Sequence, residues 1–305
     1  MTWTTDELGD QSGRLVLITG ANSGLGLETA RAFSEHGATV LLACRSRQKG
    51  EAARTALLPA ARGGLEVVEL DLADLASVAA TAQWLADSYG RLDLLINNAG
   101  VMALPRCLTH EGFERQFGTN HLGHFALTNA LLPLLEGRPD ARVVTVTSGA
   151  HLFGRINFDD LQGEQRYDRW SAYCQSKLAN VMFALELEQR LRQNGSTVSS
   201  LAAHPGMART NLQPTSVAAN GSRLEALAHR LMDPLFQSAA MGALPQLHAA
   251  TAATAQGGEL YGPDQLGGVR GYPALNRIAK AAQDGEARRR LWAVSEELTG
   301  VHSGL

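Results

Sequence analysis

Short runs of Val, Ile and Leu recur along the chain, separated by longer segments in which apolar residues return every three to four positions. The runs are residues 14–19, 38–43, 65–70, 92–96, 142–147 and 197–203, with a short late candidate at 259–261. They are nearly all apolar rather than alternating, which predicts strands covered on both faces. The segments between them, 25–36, 48–57, 77–89, a long 111–135 and 171–193, have the spacing of amphipathic or buried helices. This alternation predicts an α/β fold: a Rossmann-type, doubly wound parallel sheet of about seven strands with helices on both faces. Crossovers should be right-handed, and ligands should bind at the carboxyl ends of the strands. No Pro/Gly/Ser-rich linker divides the chain, so residues 1–305 read as a single domain. Residues 211–238 break the rhythm, with Pro214, Gly221 and Pro234 around an amphipathic piece. They read as a substrate-lid insertion, or alternatively as surface helices that only pack.

Composition narrows the class. Apolar residues make up 45% and charged residues 19%, and the net charge is -3. That balance belongs to a globular protein and gives no basis for binding nucleic acid. No run approaches the roughly 18 uninterrupted apolar residues of a membrane span. The first residues are polar, with Asp6, Glu7 and Asp10, and lack the pattern of a secretory leader or membrane anchor. Cys44, Cys107 and Cys174 are odd in number and far apart, which suits a reducing, cytoplasmic setting. Of nine histidines, only His121 and His124 have a spacing that lets two face one way. Without a third ligand, no metal site is expected.

The candidate chemistry begins after the first strand, at Thr19-Gly20-Ala21-Asn22-Ser23-Gly24-Leu25-Gly26. A glycine-rich turn opening a helix lets backbone N–H groups approach a pyrophosphate. The second strand ends in Cys44-Arg45, with no acid before Glu51. An acid there would hold a ribose 2′-hydroxyl; Arg45 instead suits a 2′-phosphate, favouring NADP(H) over NAD(H), unless it is merely solvated. Asp71-Leu72 would flank the adenine, although Asp71 also reads as a helix N-cap. Asn97-Asn98-Ala99-Gly100 follows the fourth strand and suits close passage beside a ribose, or a plain turn. Tyr173 and Lys177 are four apart on a helix and so share a face. A tyrosine with a pKa of about 10 needs a neighbouring cation to act near neutrality. Ser148 ends the fifth strand, and Asn120 is a polar residue in an otherwise apolar stretch.

In this order the motifs resemble the short-chain dehydrogenase/reductase family. They are Thr19–Gly26, Asn97–Gly100, Asn120, Ser148, Tyr173/Lys177 and Pro205-Gly206. The resemblance implies that Tyr173 transfers a proton to or from the substrate oxygen and that Ser148 hydrogen-bonds that oxygen. It implies that Lys177 binds the nicotinamide ribose and tunes Tyr173, and that Asn120 holds a relay water. It also implies cofactor contacts from Gly20, Asn22, Ser23, Gly24, Leu25, Gly26, Asn98, Ala99, Gly100, Pro205, Gly206 and Thr210. The implied activity is hydride transfer between nicotinamide and a carbonyl/alcohol substrate. The alternatives are C=C reduction and an NADP(H)-sensing regulator without turnover.

The chain is more specifically similar to the retinol-dehydrogenase-like branch, which includes protochlorophyllide reductase relatives. Leu42-Ala43-Cys44-Arg45, the 25-residue step from Ser148 to Tyr173, Tyr261-Gly262-Pro263 and Leu291–Ser295 carry this similarity. Val101, Met102, Leu104, Phe153 and Met207 suggest a hydrophobic or mixed small-molecule substrate. The resemblance further implies a homodimer or homotetramer paired through 111–135 and 171–193. Branches with added C-terminal segments can be monomers.

Overall fold

The computed structural model describes residues 2–209 and 236–305. One sheet of eight strands runs through it, in the order β3-β2-β1-β4-β5-β6-β7-β8. The strands are β1 Leu15–Thr19, β2 Thr39–Cys44, β3 Leu65–Glu69, β4 Leu94–Asn97, β5 Arg142–Val146, β6 Ser199–Ala203, β7 Leu260–Gln265 and β8 Arg270–Leu275. All neighbours pair in parallel except β7 and β8. Chain order reverses between β1 and β4, so their carboxyl ends open a crevice where no helix crosses.

The expected seven strands are therefore eight. The unforeseen β8 contains Gly271 and Pro273, and β7 contains Pro263, residues that ordinarily interrupt strands. They are tolerated because this is the sheet's edge. β7 meets β6 only at Ala202↔Leu260 and Ala203↔Tyr261, and Pro263 faces Pro273 in a hairpin beyond that contact.

The described helices are α1 Gly24–Glu35, α2 Arg47–Leu57, α3 Leu75–Tyr89, α4 Arg115–Phe117, α5 Gly123–Leu135, α6 Arg169–Gln193, α7 Ala239–Thr251 and α8 Gly285–Thr299. One core layer joins α1 and α7 to one face of the sheet through Phe33, Val40, Ile96, Val144, Ala243 and Leu247. The other joins α3, α5 and α6 to the opposite face through Leu17, Leu85, Leu95, Phe125, Val143 and Phe183.

The long helix expected over 111–135 is broken. It starts only at Arg115, and Gly118–Leu122 forms a π turn before α5. Glu114 is the reason for the late start. Its buried carboxylate accepts from Gln116 N at 3.0 Å and Phe117 N at 2.7 Å and so caps α4. In the π turn, Gly123 N donates to Gly118 O, five residues back, which adds one residue to the turn and rotates Asn120. The expected lid, 211–238, lies outside the described residues except at its end. There Gln237 bridges to Ala208, and Ser238 caps α7 through Met241 N.

Candidate active site

Parallel strands put the ends of β1, β2, β3, β4, β5 and β6 on one edge, and the candidate residues follow those ends. After β1, Gly20 adopts φ +68 and Gly26 passes close to its carbonyl. A Cβ on Gly26 would collide with Gly20 O and stand 2.6 Å from Asn98 Nδ2, so this approach requires glycine. Helix α1 then begins differently from most of the others. Ser46, Asp74, Asp168, Ser238 and Asp284 each cap their helices with a side-chain acceptor. Ser23, at the head of α1, makes no such bond. Its hydroxyl and the first-turn amides remain available to an anion.

Thr19 ties this loop to the end of β4. Its Oγ1 accepts from Asn98 N and Ala99 N, each at 2.9 Å, and Asn98 Nδ2 donates to Thr19 O at 2.8 Å. Asn22 and Gly24 stay partly exposed in the loop, while Leu25 is buried against α7. Arg45, just past β2, is exposed and makes no hydrogen bond or ion pair with the described residues. Arg47 instead reaches Glu51 at 3.8 Å. Asp71 is not the N-cap of α3; that role falls to Asp74, while Asp71 Oδ1 accepts from Ala73 N at 3.0 Å. Leu72 is buried beside it.

The presumed chemistry residues converge at β4 and β5. Asn120 is buried, its Oδ1 accepting from Val101 N at 2.8 Å and its Nδ2 donating to Val101 O and Ser176 Oγ, both at 2.9 Å. A Cβ on Gly100 would lie 3.2 Å from Asn120 Oδ1 and 3.4 Å from Lys177 Nζ, so these two groups flank the same glycine. Lys177 Nζ donates to Val146 O at 3.3 Å and sits 5.9 Å from the centre of the Tyr173 ring. The Ser148 side chain lies near enough to the Tyr173 hydroxyl to favour its ionised form. Pro205 and Gly206 follow β6, with Gly206 at φ +62 and packed on Val269 O. Thr210 lies outside the described residues.

Electrostatics departs from expectation. Burial pushes the Tyr173 hydroxyl up to about 12, and the nearby Ser148 side chain offsets only part of that. Burial also pulls Lys177 down to about 8. Both groups are held away from water, and for each the loss of hydration is the leading cause of the shift. The tyrosine therefore stays protonated near neutrality in this state of the protein.

His121 and His124 do not converge on a metal. His121 Nε2 meets Ser295 Oγ of α8 at 2.9 Å, and His124 Nε2 meets Thr19 Oγ1 at 2.9 Å. Asp74, His110 and Glu111 do gather at the surface. Asp74 is engaged as a cap and Glu111 accepts from Leu75 N at 2.6 Å. Sequence reasoning missed Ser176 and His124 as partners of Asn120. The available signal was their spacing: Ser176 immediately precedes Lys177, and His124 lies one helical turn past Asn120.

The family model for short chain dehydrogenase matches residues 14–221. The chain belongs to the short-chain dehydrogenase/reductase family. Human retinol dehydrogenase 12 is 42% identical over 292 residues, covering 95% of this chain and 87% of that one. A crystal structure of an uncharacterised protein from Mycobacterium paratuberculosis superposes with a TM-score of 0.83 at 44% identity, covering 100% of both chains. L-sorbose reductase from Gluconobacter frateurii, solved with NADPH and L-sorbose, has a TM-score of 0.66 at 22% identity, covering 83% and 95%, and shares the fold. This short-chain dehydrogenase/reductase is an oxidoreductase of the retinol-dehydrogenase-like branch. No helix among its described residues is long and apolar enough to cross a membrane.

Proposed function

We propose that the protein is an NADP(H)-dependent oxidoreductase acting on a carbonyl/alcohol pair, with Tyr173 as general acid and base. The observation that carries this reading is the cluster of Tyr173 on Ser148 with Lys177 and Asn120 flanking Gly100, at the strand ends beside an uncapped helix.

The residues present fit a dinucleotide. The uncapped start of α1 and the glycine-only approach at Gly26 suit a diphosphate, which Gly20, Asn22, Ser23, Gly24, Leu25 and Gly26 would hold. Arg45 is uncommitted and would take a 2′-phosphate. Asp71 and Leu72 would border the adenine, Asn98, Ala99 and Gly100 the ribose, and Pro205, Gly206 and Thr210 the carboxamide. When bound, the cofactor supplies or accepts the hydride.

The chain's own residues provide the proton and the placement. A protonated Tyr173 is poised to donate to a carbonyl oxygen as negative charge develops there, with Ser148 sharing that oxygen. Lys177, half-way through its titration near pH 8, keeps positive charge beside the phenol at neutrality and favours the phenolate left behind. Asn120 fixes the Val101 backbone and Ser176, holding the floor beneath Lys177.

Fluorescence titration with NADPH and NADH, followed by turnover of aldehydes, ketones, alcohols and enones, tests this reading. Tighter NADPH binding and carbonyl reduction are expected. Equal binding of both dinucleotides removes the role of Arg45. Consumption of NADPH with enones alone replaces the carbonyl reading.

A further inference from the structure

The backbone carbonyl of Asn120 is met by a side chain. His124 Nδ1 stands 3.0 Å from Asn120 O, while its Nε2 stands 2.9 Å from Thr19 Oγ1. The surrounding partners decide where the protons sit. Thr19 Oγ1 already accepts from Asn98 N and Ala99 N. Its own proton has two acceptors within reach, His124 Nε2 at 2.9 Å and Ile96 O at 3.4 Å. The imidazole is the nearer, so Nε2 accepts and the ring carries its proton on Nδ1, from which it donates to Asn120 O.

The Asn120 side chain is engaged elsewhere, its two ends bonded to Val101 and Ser176. The histidine is thus the link between the π turn and β1. Thr19 and Asn120 are fully buried and His124 is 1% exposed, so water cannot replace a lost partner. The charged and titratable groups around the ring keep it neutral. Burial, aided by the Lys177 charge, pulls His124 down to about 4, and its other titratable neighbour, His121, is itself held down to about 3.

We propose that His124 is a positioning residue of the active site: its neutral Nδ1–H imidazole locks the Asn120 turn to Thr19, and through Thr19 to the Asn98–Ala99 backbone. The dinucleotide crossing and the Asn120/Lys177 end then keep one geometry. This rests on the reading of Asn120, Tyr173 and Lys177 as the reacting end.

The first test needs no turnover. Two-dimensional ¹H–¹⁵N NMR of the full chain labelled at histidine should show His124 as the neutral Nδ1–H tautomer from about pH 6 to about pH 8. An Nε2–H tautomer or an imidazolium in that range overturns the proposal. The second test compares His124→Phe, which keeps ring volume without hydrogen bonds, with His124→Asn, which returns an amide N–H near the Nδ1 position. His124→Phe should bind NADPH within about threefold of wild type yet lose about 10- to 100-fold in kcat. The pH profile of kcat should shift, and His124→Asn should recover part of the loss. Unchanged kcat and pH profile in folded His124→Phe overturn the proposal. So does a loss that tracks thermal stability alone, with no pH shift and no rescue. Should His124→Phe fail to fold, the tautomer and the His124→Asn profile still decide. If wild type turns over none of the substrate panel, the oxidoreductase reading fails, a result distinct from a wrong tautomer.

Discussion

At the scale of single residues, Tyr173 and Arg45 divide the two halves of the proposed function. Tyr173 is 5% exposed and lies near Ser148, while its ring packs edge-on to Trp170 at 6.3 Å. Tyr173→Phe keeps the ring and removes the proton carrier. Turnover should fall by at least about 100-fold, the lower end of what a positioned acid/base contributes. NADPH affinity should change less than about threefold, because the loss is a transition-state interaction. Stopped-flow turnover with parallel binding titrations separates the two, and retained turnover refutes the role of Tyr173. Arg45 calls for the opposite pattern. On the proposed role, Arg45→Ala would delete a charge-assisted contact of about 1.5–3 kcal/mol, so NADPH should bind roughly 10- to 100-fold more weakly while NADH is unaffected. Equal weakening of both would assign Arg45 to the loop's structure. As candidates, Arg45 stood out in the sequence as the residue that follows a strand end, and Tyr173 through its four-residue spacing from Lys177. The direction of the Tyr173 shift was not legible there, because it depends on how far folding strips water from a side chain.

At the scale of elements, the strands buried on both faces were read from their unbroken apolar runs, and β8 was hidden by Gly271 and Pro273. The π turn was hidden for another reason. Phe117, Leu122, Phe125 and Leu127 are all buried, so hydrophobic spacing is the same whether or not one extra residue enters the turn. What holds that turn comes from the far end of the chain. Helix α8 lies against α6, with Trp292 2% exposed between Phe125 at 4.9 Å and Phe183 at 5.8 Å, and the Arg190 guanidinium 4.4 Å from its ring. Ser295, one turn along α8, reaches His121 beside Asn120. The same helix packs along α6 and, through Trp292, against Phe125 of α5. Trp292→Ala should cost about 3–5 kcal/mol in urea denaturation, the usual range for emptying a buried Trp site. It should also lower turnover, since the Ser295–His121 contact shares that packing. A loss below about 1 kcal/mol would mean that α8 is a loosely held appendage.

At the scale of the whole molecule, the balance of buried titratable groups dictates how stability changes with pH. Among the described residues, five histidines are buried and held below their ordinary range, chiefly by loss of hydration. They are His121 to about 3, His124 and His204 to about 4, and His151 and His248 in the same direction. The unfolded chain takes up these protons near pH 6.5, whereas the folded chain refuses them until more acid conditions. Between those limits the unfolded state binds more protons, so stability must fall as pH falls. Glu114 opposes this, because burial raises its carboxyl and the folded state is protonated first. It is one group against five. Lys177, lowered to about 8, acts in another window. Its unfolded form holds the proton up to about pH 10.4, so its cost to folding is constant at neutrality and relieved as pH rises above about 8. Urea midpoints should therefore be nearly level from about pH 7 to 8 and decline below about pH 6.5, each histidine contributing at most about 1.4 kcal/mol per pH unit. Replacing His124 with Asn removes one of the five groups and should make the acid decline shallower, even though the variant starts from lower stability. A level midpoint down to about pH 5 would mean that these histidines are protonated in the folded protein. The hydrogen bonds that fix the Asn120 turn would then need a different arrangement of protons.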